Sequence, residues 1–173
     1  MARFIELRRH TDNEGDALTA GGVSDALDIG SRLGGGYSLA VSSGAQRATQ
    51  TLACFLAALA EPIPGGVIVE IRLRSSVEER WRAAYAAAGA GDLESLRTAD
   101  PELVSADSAR LATGLGAVLT LLDHGEMALA VGHSPTNEAA VFGLTGTDIA
   151  PMAKGDGVLV IAEAKSIRVE PIR

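Results

Sequence analysis

The chain is poor in the residues that would tie a small fold together by staples or cofactors. Of its 173 residues one, Cys54, is a cysteine and three are histidines. A single thiol cannot form an internal disulfide. Three scattered histidines and one cysteine do not make a zinc site. Aromatic residues are 3% of the chain, so a core must be built from Ala, Val, Leu and Ile, which suits helices packed on a sheet. No apolar run approaches the roughly 20 residues that span a bilayer. No apolar segment follows a basic one at the N-terminus, so no signal peptide is expected and the chain reads as cytoplasmic. A glycine-rich loop ending in Gly-Lys-Ser/Thr is missing, as is a Gly-x-Gly-x-x-Gly after the first strand, which removes the common nucleotide sites. Neither a cofactor nor a metal is expected.

What is present is a globular composition. The hydrophobic share is 47%, which excludes disorder, and the length is that of one domain able to bury a core unaided. The net charge of −7 and a pI near 4.9 repel nucleic acid and anionic membranes. An anionic substrate would have to be drawn in by a local nest of arginines.

Hydrophobic periodicity predicts alternating strands and helices. Phe4–Leu7 reads as a strand, followed by a polar loop over Thr11–Ala17. Thr19 can cap a helix carrying Val23, Ala26, Leu27 and Leu33. Tyr37–Val41 is a second strand, and a helix opens at Ser42-Ser43 and runs to about Ala60. The β-branched run Val67–Ile71 predicts a third strand. Ser76 and Glu79 have capping-box spacing at the start of a helix near Trp81 and Tyr85. Ala86–Pro101 reads as a loop with one turn of helix. Leu111 to Leu122 mark a long amphipathic helix, Met127–Val131 a buried central strand, and Pro135–Leu144 a helix. Val158–Ala162 and Ile167–Val169 form a terminal hairpin. The order predicts a three-layer α/β/α sandwich with a mostly parallel central sheet, in a single domain over 1–173.

In such sheets ligands bind at the carboxyl ends of the strands. There the chain places Arg8, Arg9, His10 and Thr11 after the first strand, and Ser42, Ser43 and Arg47 after the second. Arg74, Glu78 and Glu79 follow the third, and Gly132, His133 and Ser134 the fourth. Phosphoryl transfer needs positive charge about the equatorial oxygens and a nucleophile in line with the leaving oxygen. Arginine forks bind two phosphate oxygens at once, and a neutral imidazole can attack phosphorus. Nearby cations should depress the pKa of His10 and keep it neutral. Arg8 should point away from Arg9, because side chains alternate along a strand. His124 suits a helix C-terminus, Trp81 and Tyr85 suit packing, and Cys54 suits a buried structural thiol.

These residues resemble a known pattern. Leu7-Arg8-Arg9-His10 with Leu18-Thr19 and Gly22 looks like the opening block of the histidine phosphatase superfamily, the phosphoglycerate-mutase-like proteins. Ser42-Ser43-Gly44-Ala45-Gln46-Arg47-Ala48-Thr49-Gln50-Thr51 is similar to its second block, and Val131-Gly132-His133-Ser134-Pro135 to its third. The resemblance implies a phosphatase acting through a phosphohistidine on His10, with Arg9, Arg47 and His133 completing the phosphate pocket and Ser43 capping the second helix. It implies a small phosphorylated substrate or a phosphohistidine protein as partner. Thr11 stands where the family usually has glycine, and Asp16 where a phosphate-contacting asparagine is common. The family's usual acid position reads Leu73-Arg74-Ser75. Glu79 is the first candidate for general acid, with Glu78 and Glu138 as alternatives. The segment 74–101 would be a small cap over the substrate. A mutase, or a phospho-ligand binder on the same fold, remains an alternative.

Overall fold

The computed structural model describes residues 2–172. The strands are β1 (Arg3–Arg9), β2 (Asn13–Glu14), β3 (Ala17–Leu18), β4 (Leu39–Ser42), β5 (Val67–Val69), β6 (Met127–Gly132), β7 (Gly157–Ala162) and β8 (Ile167–Pro171). The helices are α1 (Ala20–Ser31), α2 (Gln46–Leu59), α3 (Glu78–Ala88), α4 (Leu93–Ala99), α5 (Pro101–Thr120) and α6 (Thr136–Thr145). Six strands form one sheet in the order β5-β4-β6-β1-β7-β8, while β2 and β3 form a separate small hairpin in the loop after β1. The first four strands of that order run parallel, and β7 and β8 complete the sheet antiparallel. The mostly parallel α/β sandwich expected from the sequence is the observed one.

Strand alternation divides the core in two. Ile5, Leu7, Val41, Ala128 and Ala130 pack with α3, α4, α5 and α6. Ala40, Leu129 and Val131 face the other way, against Ala26 of α1 and Ala48, Leu52 and Phe55 of α2. β6 contributes to both faces, as its unbroken apolar run requires.

Several local expectations are corrected. On α1 the buried stripe is Gly22, Ala26 and Gly30, whereas Val23 and Leu27 are exposed. A Cβ on Gly30 would lie 2.8 Å from the Phe55 backbone, so α1 sits on α2 through its smallest residues rather than its largest. β5 is shorter than the apolar run implied and lies at the sheet edge with Val67 and Val69 exposed. The segment read as a loop holds α4, whose first turn is capped by Asp92 accepting from the Ser95 N–H. Asp100 then caps α5, with Pro101 in its first turn. The Ser76–Glu79 capping box does not form. Val77 is the N-cap of α3 without a side-chain bond, and Ser75 Oγ accepts from the Val77 N–H. Tyr85 is exposed rather than packed, while Trp81 is buried. Cys54 is half-buried beside the α1–α2 core.

Candidate active site

The parallel register brings the first and third motif blocks together. The His10 N–H donates to the Gly132 carbonyl, and the Ser43 N–H to the Val131 carbonyl. His10 and His133, 123 positions apart in the chain, therefore face each other with ring centroids 5.3 Å apart. Both are buried, at 5% and 6% exposure.

The His10 Nδ1–H donates to the carbonyl of Thr11 at 2.7 Å. A carbonyl only accepts, so this bond places the ring proton on Nδ1 and leaves the Nε2 lone pair free. Burial, then Arg47, Arg9 and Lys154, bring the pKa of His10 down to about 4, against the opposing pull of the Thr11 bond. His133 falls to about 3, chiefly by burial, with Arg47, His10 and Arg74 adding to the effect. Both rings are neutral near pH 7, with cations around them.

Thr11 does not intrude on the site. Its hydroxyl donates to the Gly22 carbonyl, its N–H donates to Thr51 Oγ1, and the side chain is 1% exposed. Its β-branched bulk is absorbed between the loop and α1–α2. Ser43 was expected to cap α2 and does not: Ala45 is the N-cap, without a side-chain bond. Ser43 Oγ instead bonds Nε2 of His133 at 2.7 Å. His133 Nδ1 is buried with no hydrogen-bond partner.

The arginines arrive from different elements. Arg9, on β1, donates from Nη1 to the Met152 carbonyl at 2.7 Å. Arg8 points to the opposite face, as alternation demands, and binds Glu6 and the Gly155 carbonyl. Arg47, in the first turn of α2, donates to Asp16 at 2.6 Å, and its second amino group lies 3.9 Å from Glu78. Asp16 also accepts from the Gln46 N–H. On the far side Lys154 pairs with Asp12, next to the Gly155 N–H, which donates to the carbonyls of Arg9 and His10.

The carboxylates separate by position. Glu79, the first candidate for the acid, is exposed and makes no hydrogen bond or ion pair with the other site residues. Glu78, its neighbour, accepts from Arg74 at 2.5 Å and reaches toward Arg47. The Arg74 guanidinium holds the Glu78 carboxyl below the usual range, although burial opposes it. The segment bearing Glu78 is pinned to α5, where Trp81 donates to Asp107, and Arg110 binds both Asp107 and the Arg74 carbonyl. Sequence reasoning missed the Asp107–Arg110 pair, whose spacing of three on a helix was the available signal. Glu138 is 1% exposed on α6, well away from the surface. His124 is exposed after α5. Among the described residues no group of three or more His, Cys, Asp or Glu side chains could hold a metal ion, and no helix is long and apolar enough to cross a membrane.

The fold, a mostly parallel sheet with two histidines and flanking arginines at its carboxyl edge, is the one shared with phosphoglycerate-mutase-like solved structures. A phosphoglycerate mutase from Bacillus anthracis str. Sterne matches with a TM-score of 0.74 at 18% identity, over 99% of this chain and 92% of that one. A phosphoserine phosphatase from Entamoeba histolytica matches at 0.72 and 14% identity, over 96% and 94%. A mycobacterial glucosyl-3-phosphoglycerate phosphatase matches at 0.71 and 16%, over 99% and 98%. No family model matches the sequence, and no curated protein matches it.

Proposed function

We propose that the protein is a phosphatase that takes a phosphoryl group onto Nε2 of His10 and passes it to water. One observation carries this reading: the Thr11 carbonyl holds the Nδ1 proton, so a neutral, buried imidazole presents its lone pair among cations. The substrate is a small phosphorylated compound or a phosphohistidine protein. Residues 1–173 act as one domain, with 74–101 forming the wall over the leaving group.

A phosphate dianion would bind Arg9 and Arg47 and take the place of Asp16 on Arg47. The Nε2 lone pair then forms the N–P bond as the P–O bond to the leaving group breaks. The imidazolium that results keeps its Nδ1–H on the Thr11 carbonyl, which favours the charged ring. His133 faces His10 with its Nε2 on Ser43 Oγ, and a transferring oxygen would take the place of Ser43 as its partner. The leaving oxygen takes its proton from Glu78, which the geometry favours over Glu79. Substrate charge on Arg47 and Arg74 withdraws the support that keeps Glu78 ionised, so Glu78 takes up a proton from solvent as substrate binds and holds it for the leaving oxygen. In the second step Glu78 accepts a proton from water, the water oxygen attacks phosphorus, and the N–P electrons return to Nε2. The cover supplied by α3 and α4 is short, which favours hydrolysis over return of the phosphoryl group to the substrate.

The test is a rapid quench of the enzyme with a chromogenic aryl phosphate. An acid-labile, alkali-stable phosphoryl adduct is expected in wild type and none in His10→Ala. Turnover by His10→Ala at the wild-type rate refutes the reading.

A further inference from the structure

Glu138 is a buried acid that the reaction scheme does not use. Its Oε1 accepts from Ser134 Oγ at 2.5 Å and from the Met152 N–H at 2.7 Å. The same residue, Met152, offers its carbonyl to Nη1 of Arg9. Arg9 Nε and Glu138 Oε2 are both buried without hydrogen-bond partners, and the two side chains make no direct ion pair. Met152 is 4% exposed, and its sulfur accepts a bond from Asn137, which also holds the His133 N–H and the Arg8 carbonyl. Met152 is thus clamped from α6, and its clamp is what the Arg9 guanidinium rests on.

A carboxylate in the first turn of a helix has an ordinary role in complementing the helix dipole. That role needs no contact with residue 152, and it is served equally well by a solvated side chain. Glu138 instead is buried, at a desolvation cost that only good hydrogen bonds offset, and reaches 14 positions along the chain to a main-chain donor. Arg9 gains from this arrangement because a guanidinium fork binds phosphate well only when its plane is set.

We propose that Glu138 is a positioning residue: it fixes the main chain of Met152, and Met152 fixes the plane of Arg9 for the phosphate. The inference rests on the phosphoryl-transfer reading above. What matters in it is the reach of an acceptor to the Met152 N–H, not the negative charge.

Two substitutions separate reach from charge. Glu138→Gln keeps the reach and loses the charge. Glu138→Asp keeps the charge and withdraws the acceptor by one methylene. Inorganic phosphate binding is measured by calorimetry, and KM and kcat with an aryl phosphate. In Asp the phosphate Kd and the KM should rise about tenfold with kcat changed less than about threefold, while Gln should stay within about threefold of wild type on all three. A general loss of folded protein would lower kcat and leave Kd and KM alone, and that pattern overturns the proposal. So does an Asp variant that binds phosphate like wild type, or a Gln variant that loses as much as Asp. A substrate-free readout keeps the two readings apart. The Arg9 Nε–H resonance, assigned by its loss in Arg9→Lys, should be protected from exchange in wild type and Gln and unprotected in Asp. If wild type neither binds phosphate nor turns over ester, the function fails, and this resonance alone decides whether Glu138 positions Arg9.

Discussion

Arg9 reaches the histidine pair from the interior and rests on a neutral main-chain carbonyl, whereas Arg47 reaches it from the surface and is bound to a carboxylate. Arg9 is held by Met152 at 2.7 Å and its Nε is buried. Arg47 is held by Asp16, which is 47% exposed, and has Glu78 as a second acid within 3.9 Å. A carbonyl can keep its hydrogen bond while an arriving phosphate uses the rest of the fork. A carboxylate competes with the phosphate for the same charge. In the proposed pocket Arg9 is therefore the fixed half and Arg47 the exchangeable half, and Asp16, one of the chain's departures from the pattern it resembles, lies on the exchangeable side.

The largest expected effect lies with the acid beside Arg47. Glu78→Gln should lower kcat/KM for an alkyl phosphate by about 10²–10⁴, the usual worth of general acid catalysis. An aryl ester, whose leaving group needs little protonation, should be spared, and Glu79→Gln should alter neither. Efficient alkyl ester turnover in Glu78→Gln would move the proton donor off the Arg47 side altogether.

Next come the arginines themselves. Losing a charge-assisted hydrogen bond costs about 1.5–3 kcal/mol, so Arg47→Lys should lower kcat/KM by at least about tenfold. Arg9→Lys should lose more, because it gives up the Met152 anchor as well as the fork. Equal losses would erase the distinction between a fixed and an exchangeable half.

The acid limb of the kcat/KM profile should fall near pH 4, where His10 takes up a proton in the free enzyme. The folded pKa lies below the unfolded value of about 6.5, so the unfolded chain binds more protons in the interval between them. Stability should therefore decline as pH drops from about 6.5 through about 4. His133, depressed to about 3, extends the decline. Thermal melts at pH 7 and pH 4.5 should converge in His10→Gln relative to wild type. An acid limb near 6.5 would show that neither arginine's field nor burial governs the ring.

The smallest effect sharpens the comparison most directly. Asp16→Asn removes the competitor on Arg47 and should tighten phosphate binding a few-fold. An exposed ion pair is worth less than about 1 kcal/mol and is screened by salt, so the gain should shrink at high ionic strength. Weaker binding in Asp16→Asn would mean that Asp16 orients Arg47 rather than occupying it.

The readable parts of the sequence were those whose signal is local. Arg9 and His10 stand at the end of an alternating strand, and Arg8 faces away as that alternation requires. The alternation of strands and helices along the chain, and with it the mostly parallel sheet, followed from alternating periods. Contacts across the chain were not legible: Ser43 bonds His133 over 90 positions, and its neighbour Ser42 bonds Thr49 instead of the helix end. The capping box read from the spacing of Ser76 and Glu79 is not made by the backbone, where Val77 is the N-cap without a side-chain bond. On a helix one residue is about 100° of rotation, which is enough to turn Glu79 to solvent and Glu78 to Arg47. The α1 stripe was misread for a related reason. Hydrophobic size marks Val23 and Leu27, but the approach of α2 selects Ala26 and Gly30, and that of the Asp12 backbone selects Gly22.

The proton on His10 is held by a main-chain carbonyl, not by a side chain. An acidic partner at that place could be lost by a single codon change, and the ring would then be free to flip its tautomer. A carbonyl belongs to whichever residue occupies position 11, so the genetic code offers no substitution there that deletes it. Glycine, alanine or serine at position 11 would each keep the carbonyl, and His10 would still present Nε2 so long as the turn between β1 and the small hairpin keeps its path. The element of the site most essential to its chemistry is thereby the one least exposed to mutation.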